Sequence, residues 1–427
     1  MADRVNVDPV GRTDLARRLR TALDTALHTV EAMAGADFPV AGPEETSGTV
    51  RELLVDKMVA ETAMLLLCAA PVQSLDDSLA EAVRQVTARL APLARRDATL
   101  AAVCLEPASA RNHGLGHLVV SRLGHPDPGT DRLLAASLAT GAGLGPERLP
   151  HRDMEQAWLS RLWGRGTHAA QTDDGLTARS ALGRPLDVLG GTRLDFYAFT
   201  HAVMYGSDLG GRAPALPRSV AAVAADADAA LACSLDAGDF DLTAEILLTW
   251  PMLRLAWSPA ATFAFHLLTS VEEELGFLPG SAAELARYRS QFAGTRATYA
   301  PVTQYHTAYV MGFLCAASMR HGCAPPAHVP AAPKPTGAGL AVRELVDSGE
   351  SPCQWMAAFD SLDPSQQDAV APLALTVALR RGRDRGDMGA VRRALETAVA
   401  YDVVDGPAPQ QAGSLLRRFA VLSHVRD

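Results

Sequence analysis

Lysine is almost missing from this chain: Lys57 and Lys334 are the only two. Arginine supplies the positive charge and alanine is abundant, which reads as GC-rich coding bias and not as function. The net charge is −9, the pI is about 5.7, and no Lys/Arg run stands out, so nucleic-acid binding has no electrostatic basis. The six cysteines, Cys68, Cys104, Cys233, Cys315, Cys323 and Cys353, form no Cys-x-x-Cys pair, so they are expected to be structural thiols in a reducing cytoplasm. The first residues lack the basic-then-apolar layout of a signal peptide. The most apolar stretch, around 60–70, is too short or interrupted to span a bilayer, so no membrane span is expected. Also missing are a Gly-x-x-x-x-Gly-Lys loop, a Rossmann glycine pattern after a strand and a Gly-x-Ser-x-Gly elbow. Kinases, nucleotide-cofactor dehydrogenases and α/β-hydrolases are thereby disfavoured, and no nucleotide cofactor is expected.

Strict alternation of apolar and polar residues is nearly absent too, which excludes much sheet. What remains is helical periodicity. The segments 15–34, 48–70, 77–90 and 98–105 carry apolar residues at i, i+3 and i+4, and a denser block follows over 192–205, 219–235, 242–250, 260–275, 282–292 and 302–321. Thr192 after Gly190-Gly191, and Asp363 before Pro364, are cap signals. The stretch 165–191 is polar and weakly periodic and reads mostly as loop. A chain of 427 residues, 48% hydrophobic and 20% charged, can bury a large core. The fold class expected is all-α, with α/α-hairpins in a toroid or a stacked array of helix pairs. The organisation expected is an N-terminal helical segment over 1–110, a central domain over 111–322, a Pro-rich linker over 323–338 and a C-terminal helical module over 339–427.

Polar residues interrupt two apolar stripes. His201, Tyr205 and Asp208 stand at i, i+4 and i+7 and share one face of a continuous helix. Tyr305-His306-Thr-Ala-Tyr309 repeats the chemistry of a His with a Tyr one turn on. Burying titratable groups costs free energy unless they are paired, so the stripes mark either a site or a structural polar network. A third segment, Asp239-Phe-Asp241-Leu-Thr-Ala-Glu245, puts Asp241 and Glu245 at i, i+4, where they can share a proton or a divalent ion. Asp239 or Asp241 can equally cap the helix that follows. The pair His113 and His117 has i, i+4 spacing but is weakened by Gly114 and Gly116, and Glu272-Glu273-Glu274 reads as a solvated face.

The candidate catalytic set is therefore His201, Tyr205, Asp208, Asp241, Glu245, His306 and Tyr309, with His201, Asp208 and His306 as candidate ligands of a divalent metal. If the helices surround a common axis, His201 and His306 face one cavity. The expected function is a cytoplasmic biosynthetic enzyme acting on a small-molecule substrate by acid–base or metal-assisted chemistry. The rival is a non-catalytic helical binding or scaffold protein. The sequence leaves a homo-oligomer open.

Two resemblances bear on this. Asp239, Asp241, Thr243 and Ala244 resemble the D-x-D-D-T-A motif of squalene–hopene-type (class II) terpene cyclases, with Leu242 in place of the last Asp. That resemblance implies Asp241 as a general acid. The order of four segments, 197–208, 239–251, 273–280 and 305–312, resembles an uncharacterised family of bacterial helical proteins associated with natural-product genes. It spans roughly 154–326 and implies no settled reaction, but it does imply that the four segments form one unit.

Overall fold

A computed structural model of the chain describes residues 10–34, 48–140, 148–164, 173–282, 284, 286, 289, 305–346 and 354–425. Helices make up nearly all of its regular structure, and no strand occurs among the described residues. In chain order they begin with α1 (Arg12–Ala34), α2 (Gly48–Ala69), α3 (Asp77–Leu93), α4 (Asp97–Leu105), α5 (Ala110–His113), α6 (Leu115–Arg122) and α7 (Pro128–Leu138). The central set is α8 (Pro150–Trp163), α9 (Asp173–Arg179), α10 (Arg193–Gly206), α11 (Val220–Asp236), α12 (Phe240–Leu247), α13 (Thr249–Leu253), α14 (Pro259–Leu275) and α15 (Tyr305–His321). The last set is α16 (Ala338–Arg343), α17 (Gln354–Asp360), α18 (Pro364–Asp384), α19 (Met388–Ala400) and α20 (Pro407–Val425). The helix expected over 282–292 lies largely outside the described residues, as does Cys353.

Apolar spacing explains the main contacts. Leu15, Leu19, Leu23, Ala26 and Val30 form one buried stripe of α1, and this face packs against α15 and α3. Gly312 of α15 meets α1 and α2 so closely that an added Cβ would stand 2.7 Å from Ala22 Cβ and 2.7 Å from Leu65 Cδ1. Only glycine allows that approach, and it seats the helix that carries His306.

α12 is short and central, touching α10, α11, α14 and α15. Asp239 caps it, its carboxylate accepting from the Leu242 N–H at 3.0 Å. The segment after α14 clamps this start: Asp241 N–H donates to Gly280 O (3.1 Å) and Ala282 N–H to Gly238 O (2.8 Å). α10 opens at the expected cap, Thr192, which forms a capping box with Asp195. α18 likewise opens on a box of Asp363 and Gln366 with Pro364 at its first position.

One hydrophobic core runs without a break from Leu15 to Ala412. α18 lies on α11 and α14, and Arg381 makes a bidentate pair with Asp236 of α11 at 2.7 and 3.0 Å. Arg380 donates to Val188 O and Gly191 O, both at 2.8 Å, so α18 also braces the turn that leads into α10. The Pro-rich stretch before α16 is irregular but anchored. Val329 is buried, Ala332 N–H donates to Ser365 O at 2.8 Å, and the Asp368 carboxylate accepts from Gly337 and Gly339 N–H at 3.0 and 2.7 Å.

Two expectations need correction. The 165–191 stretch is not mostly loop where it is described: it holds α9 and a short 3-10 turn, Ala181–Gly183. Both are too brief for periodicity to reveal, and Leu176, Leu182, Leu186 and Val188 bury them. Glu272 is not a solvated residue, because it lies against the buried guanidinium of Arg18. The segment Leu54–Leu75, with α2 at its heart, is long and apolar enough to cross a membrane. Here half of it is buried against the rest of the chain.

Candidate functional site

Three helices bring four titratable side chains together. α12 supplies Asp241 and Glu245, α15 supplies His306, and α2 supplies Glu61. His306 Nε2 lies 3.4 Å from Asp241 Oδ1 and 3.8 Å from Glu245 Oε1. On the other edge of the ring, His306 Nδ1 lies 3.1 Å from Glu61 Oε1. Ligand atoms of Asp241, Glu245 and His306 all fall within 4.8 Å of one another.

α10 forms the adjoining wall. Thr200 Oγ1 donates to Glu245 Oε2 at 2.7 Å, and His201 Nδ1 is 3.8 Å from the same oxygen. Glu245 thus stands between the two histidines. His201 Nδ1 also lies 3.0 Å from the Tyr197 carbonyl, which can only accept, so Nδ1 carries the proton and Nε2 is the basic nitrogen. Arg193, at the first turn of α10, donates to Asp239 Oδ2 (2.7 Å) and Asp241 Oδ2 (3.1 Å).

Burial and charge act in opposite directions here. Burial pushes the Asp241 carboxyl up to about 6, with neighbouring Glu245 and Asp239 adding to the rise against His306 and Arg193. Burial also works against the Glu245 carboxylate, but His306, His201 and the Thr200 hydroxyl outweigh it and hold Glu245 below its usual range. Burial disfavours the His306 cation, yet its contacts with Glu245 and Glu61 raise it to about 11. His201 goes the other way: burial lowers it more than Glu245 restores it. One histidine is therefore held charged and the other neutral.

Hydrogen bonding is incomplete at this centre. Glu61 Oε2, Asp241 Oδ1 and His306 Nδ1 are buried atoms with no hydrogen-bond partner among the described residues. The 3.1 Å approach of Glu61 to His306 is an ion pair.

The remaining sequence candidates lie elsewhere. Tyr205 is on the same helix as His201, but its hydroxyl donates to Glu155 Oε1 at 3.2 Å, and its ring packs between Trp158 and His201. Asp208 does not share the His201 face, because α10 ends at Gly206. Asp208 follows in a left-handed conformation with φ 54°, is exposed and accepts from Trp158 Nε1 at 2.8 Å. It therefore cannot join His201 and His306 around one ion. Tyr309 is fully buried, with its hydroxyl 3.1 Å from Thr62 Oγ1, a core contact. His113 and His117 also diverge, His113 toward Glu106 and His117 between Arg95 and Asp131.

Sequence reasoning missed Glu61, Arg193 and Thr200. A lone carboxylate inside the apolar run 58–67 was the available signal for Glu61.

A pocket of about 730 Å³ opens between α8, α9 and the start of α10, with His151, Arg152, Arg179, Arg184 and Tyr197 in its wall. Tyr197 stacks on His201 with ring centroids 3.8 Å apart, so the pocket wall touches the histidine that lies beside Glu245.

Fold and site together define an all-helical protein with a buried carboxylate–histidine centre carried on α2, α12 and α15. The chain belongs to the family described as a domain of unknown function (DUF6895), whose profile matches residues 14–316. That match takes in all four of Glu61, Asp241, Glu245 and His306. No match was found among curated proteins or among solved structures.

Proposed function

We propose that this protein is an enzyme, and that the Glu61/Asp241/Glu245/His306 centre with His201 is its active site. The observation that carries the reading is that three buried side-chain atoms of that centre, on Glu61, Asp241 and His306, have no hydrogen bond among the described residues. An unsatisfied buried polar atom costs about 1–3 kcal/mol, a serious fraction of a total stability of about 5–15 kcal/mol. Ion-pair attraction offsets part of this cost, but a purely structural network gains nothing by keeping it. Single buried atoms without a hydrogen bond occur elsewhere, as at Thr249, Ser318 and Gln354, but two other buried ion pairs differ from this centre. Arg381 with Asp236, and Arg218 with Asp226 and the Arg184 carbonyl, satisfy their groups directly. That contrast favours a reactive site over a scaffold role.

His201 fits the part of general base, being neutral, with its Nδ1 committed to a carbonyl and Nε2 basic. The carboxylates and His306 supply a fixed field into which a polar substrate group can bind, by acid–base or metal-assisted chemistry. The pocket beside Tyr197 is of a size that suits a small organic molecule. The resemblance to a family associated with natural-product genes points to a biosynthetic substrate. The cyclase reading is weaker, because Asp241 sits among Arg193, Asp239, Glu245 and His306, a charged setting unsuited to protonating an alkene.

The test is turnover of an extract of small metabolites, read by mass spectrometry. Species consumed or formed by the wild type, but not by His201→Asn or Glu245→Gln, support the proposal. A wild-type profile identical to that of buffer contradicts it.

A further inference from the structure

The three side chains at the heart of the centre are each anchored through one polar atom and offer the other to a common point. Asp241 is held at Oδ2 by Arg193 (3.1 Å), leaving Oδ1. Glu245 is held at Oε2 by Thr200 (2.7 Å), leaving Oε1. His306 faces Glu61 with Nδ1 (3.1 Å), leaving Nε2. The three offered atoms, Oδ1, Oε1 and Nε2, face one another. We infer that they are the protein ligands of a first-row divalent metal ion, with Glu61, Thr200 and Arg193 as the residues that aim them.

Several observations support this. Metal-bound histidines regularly donate their other ring N–H to a carboxylate, which fixes the ring and its tautomer; Glu61 stands in that position. A helical i, i+4 carboxylate pair plus one imidazole is a mixed oxygen and nitrogen donor set, suited to manganese, iron(II) or zinc more than to calcium. Ligand atoms in adjacent positions on such an ion are about 3 Å apart. The separations of 3.4 and 3.8 Å about Nε2 are close to this, and the ligand atoms all lie within 4.8 Å of one another. Asp241 Oδ1, buried and without a hydrogen-bond partner, is the atom that such an ion would satisfy. The ligand set differs from the one expected from sequence, since Asp241 and Glu245 take the places of His201 and Asp208. His201, 3.8 Å from the non-ligating oxygen of Glu245, stays free for proton transfer.

The inference deepens the enzyme reading and rests on the same centre. Its test uses the full chain stripped by chelator and titrated with Mn²⁺, followed by electron paramagnetic resonance, and with Zn²⁺, followed by calorimetry. One site per chain is expected. Asp241→Asn and His306→Gln should each weaken binding at least about 100-fold, and Glu61→Gln about 10–100-fold. Circular dichroism identifies variants that fail to fold. If they do fail, Mn²⁺ broadening of the His306 ring signals in the wild type decides the matter. Stripped wild type that leaves millimolar Mn²⁺ and Zn²⁺ unbound overturns the inference, as does wild-type affinity in folded His306→Gln. Turnover by metal-free protein would remove the metal and keep the enzyme. Metal binding without turnover would do the reverse.

Discussion

Glu61 Oε1 lies 3.1 Å from His306 Nδ1, joining the middle of α2 to the first turn of α15. The pair spans most of the chain and holds the imidazole so that its other nitrogen faces Asp241 and Glu245.

The two histidines should titrate in opposite directions in metal-free protein. His306 is raised to about 11 and His201 is lowered. A histidine raised on folding contributes stability that is fully present below its unfolded value near 6.5 and is lost as pH rises through about 11. Proton-detected NMR should show an imidazolium at His306 at pH 8 and a His201 that holds its proton less tightly than an ordinary histidine. In Glu61→Gln the His306 value should fall. A His306 that is neutral at pH 8 would contradict the charge arrangement described.

Gly312 should tolerate no side chain. In Gly312→Ala the new Cβ meets Ala22 Cβ and Leu65 Cδ1 at 2.7 Å, and α15 must move to relieve it. Such overpacking costs about 1–3 kcal/mol. Chemical denaturation should register that loss, and turnover should fall with it because His306 rides on the same helix. Unchanged stability would mean that α1, α2 and α15 are less closely seated.

Asp228 offers a pH test away from the centre. It accepts a hydrogen bond from Ser258, and burial pushes its carboxyl up to about 7. The native state thus binds a proton that the unfolded chain has released, so stability falls as pH rises from about 4 through about 7. Asp228→Asn should remove that slope and stabilise the protein at pH 8 by about 1–2 kcal/mol. Denaturation curves at pH 5 and pH 8 check this, and an equal loss at both values would refute it.

Asp208 and Glu245 should separate cleanly. Asp208 is exposed, sits beyond the end of α10 and touches Trp158, and its φ of 54° suits asparagine. Asp208→Asn should leave stability within about 0.5 kcal/mol and turnover unaltered. Glu245→Gln should cut turnover by about 100-fold or more. Comparable losses in both variants would return Asp208 to the site.

Much of this was legible in the sequence, for identifiable reasons. Thr192 and Asp363 announce helix starts through local chemistry, and both capping boxes form. Asp241 and Glu245 share a face because i, i+4 spacing on one helix depends on nothing distant. That α10, α12 and α15 converge was an expectation about packing, and the structure brings His201, Glu245 and His306 together. What escaped depended on long-range contacts or on where a helix stops. Glu61 looks like a stray charge in an apolar run until α15 is laid beside it. Asp208 leaves the His201 stripe because the chain turns left-handed after Gly206, a change that periodicity cannot register. Tyr309 repeats the spacing of Tyr205, yet Thr62 on α2 turns it into a core residue.

A crystal soaked in Mn²⁺ and measured for anomalous scattering examines the centre itself. The arrangement of Asp241, Glu245 and His306 predicts one strong peak about 2.2 Å from Oδ1, Oε1 and Nε2, with Glu61 still facing Nδ1. An empty centre, with His306 Nε2 bonded directly to Asp241 or Glu245, would contradict it.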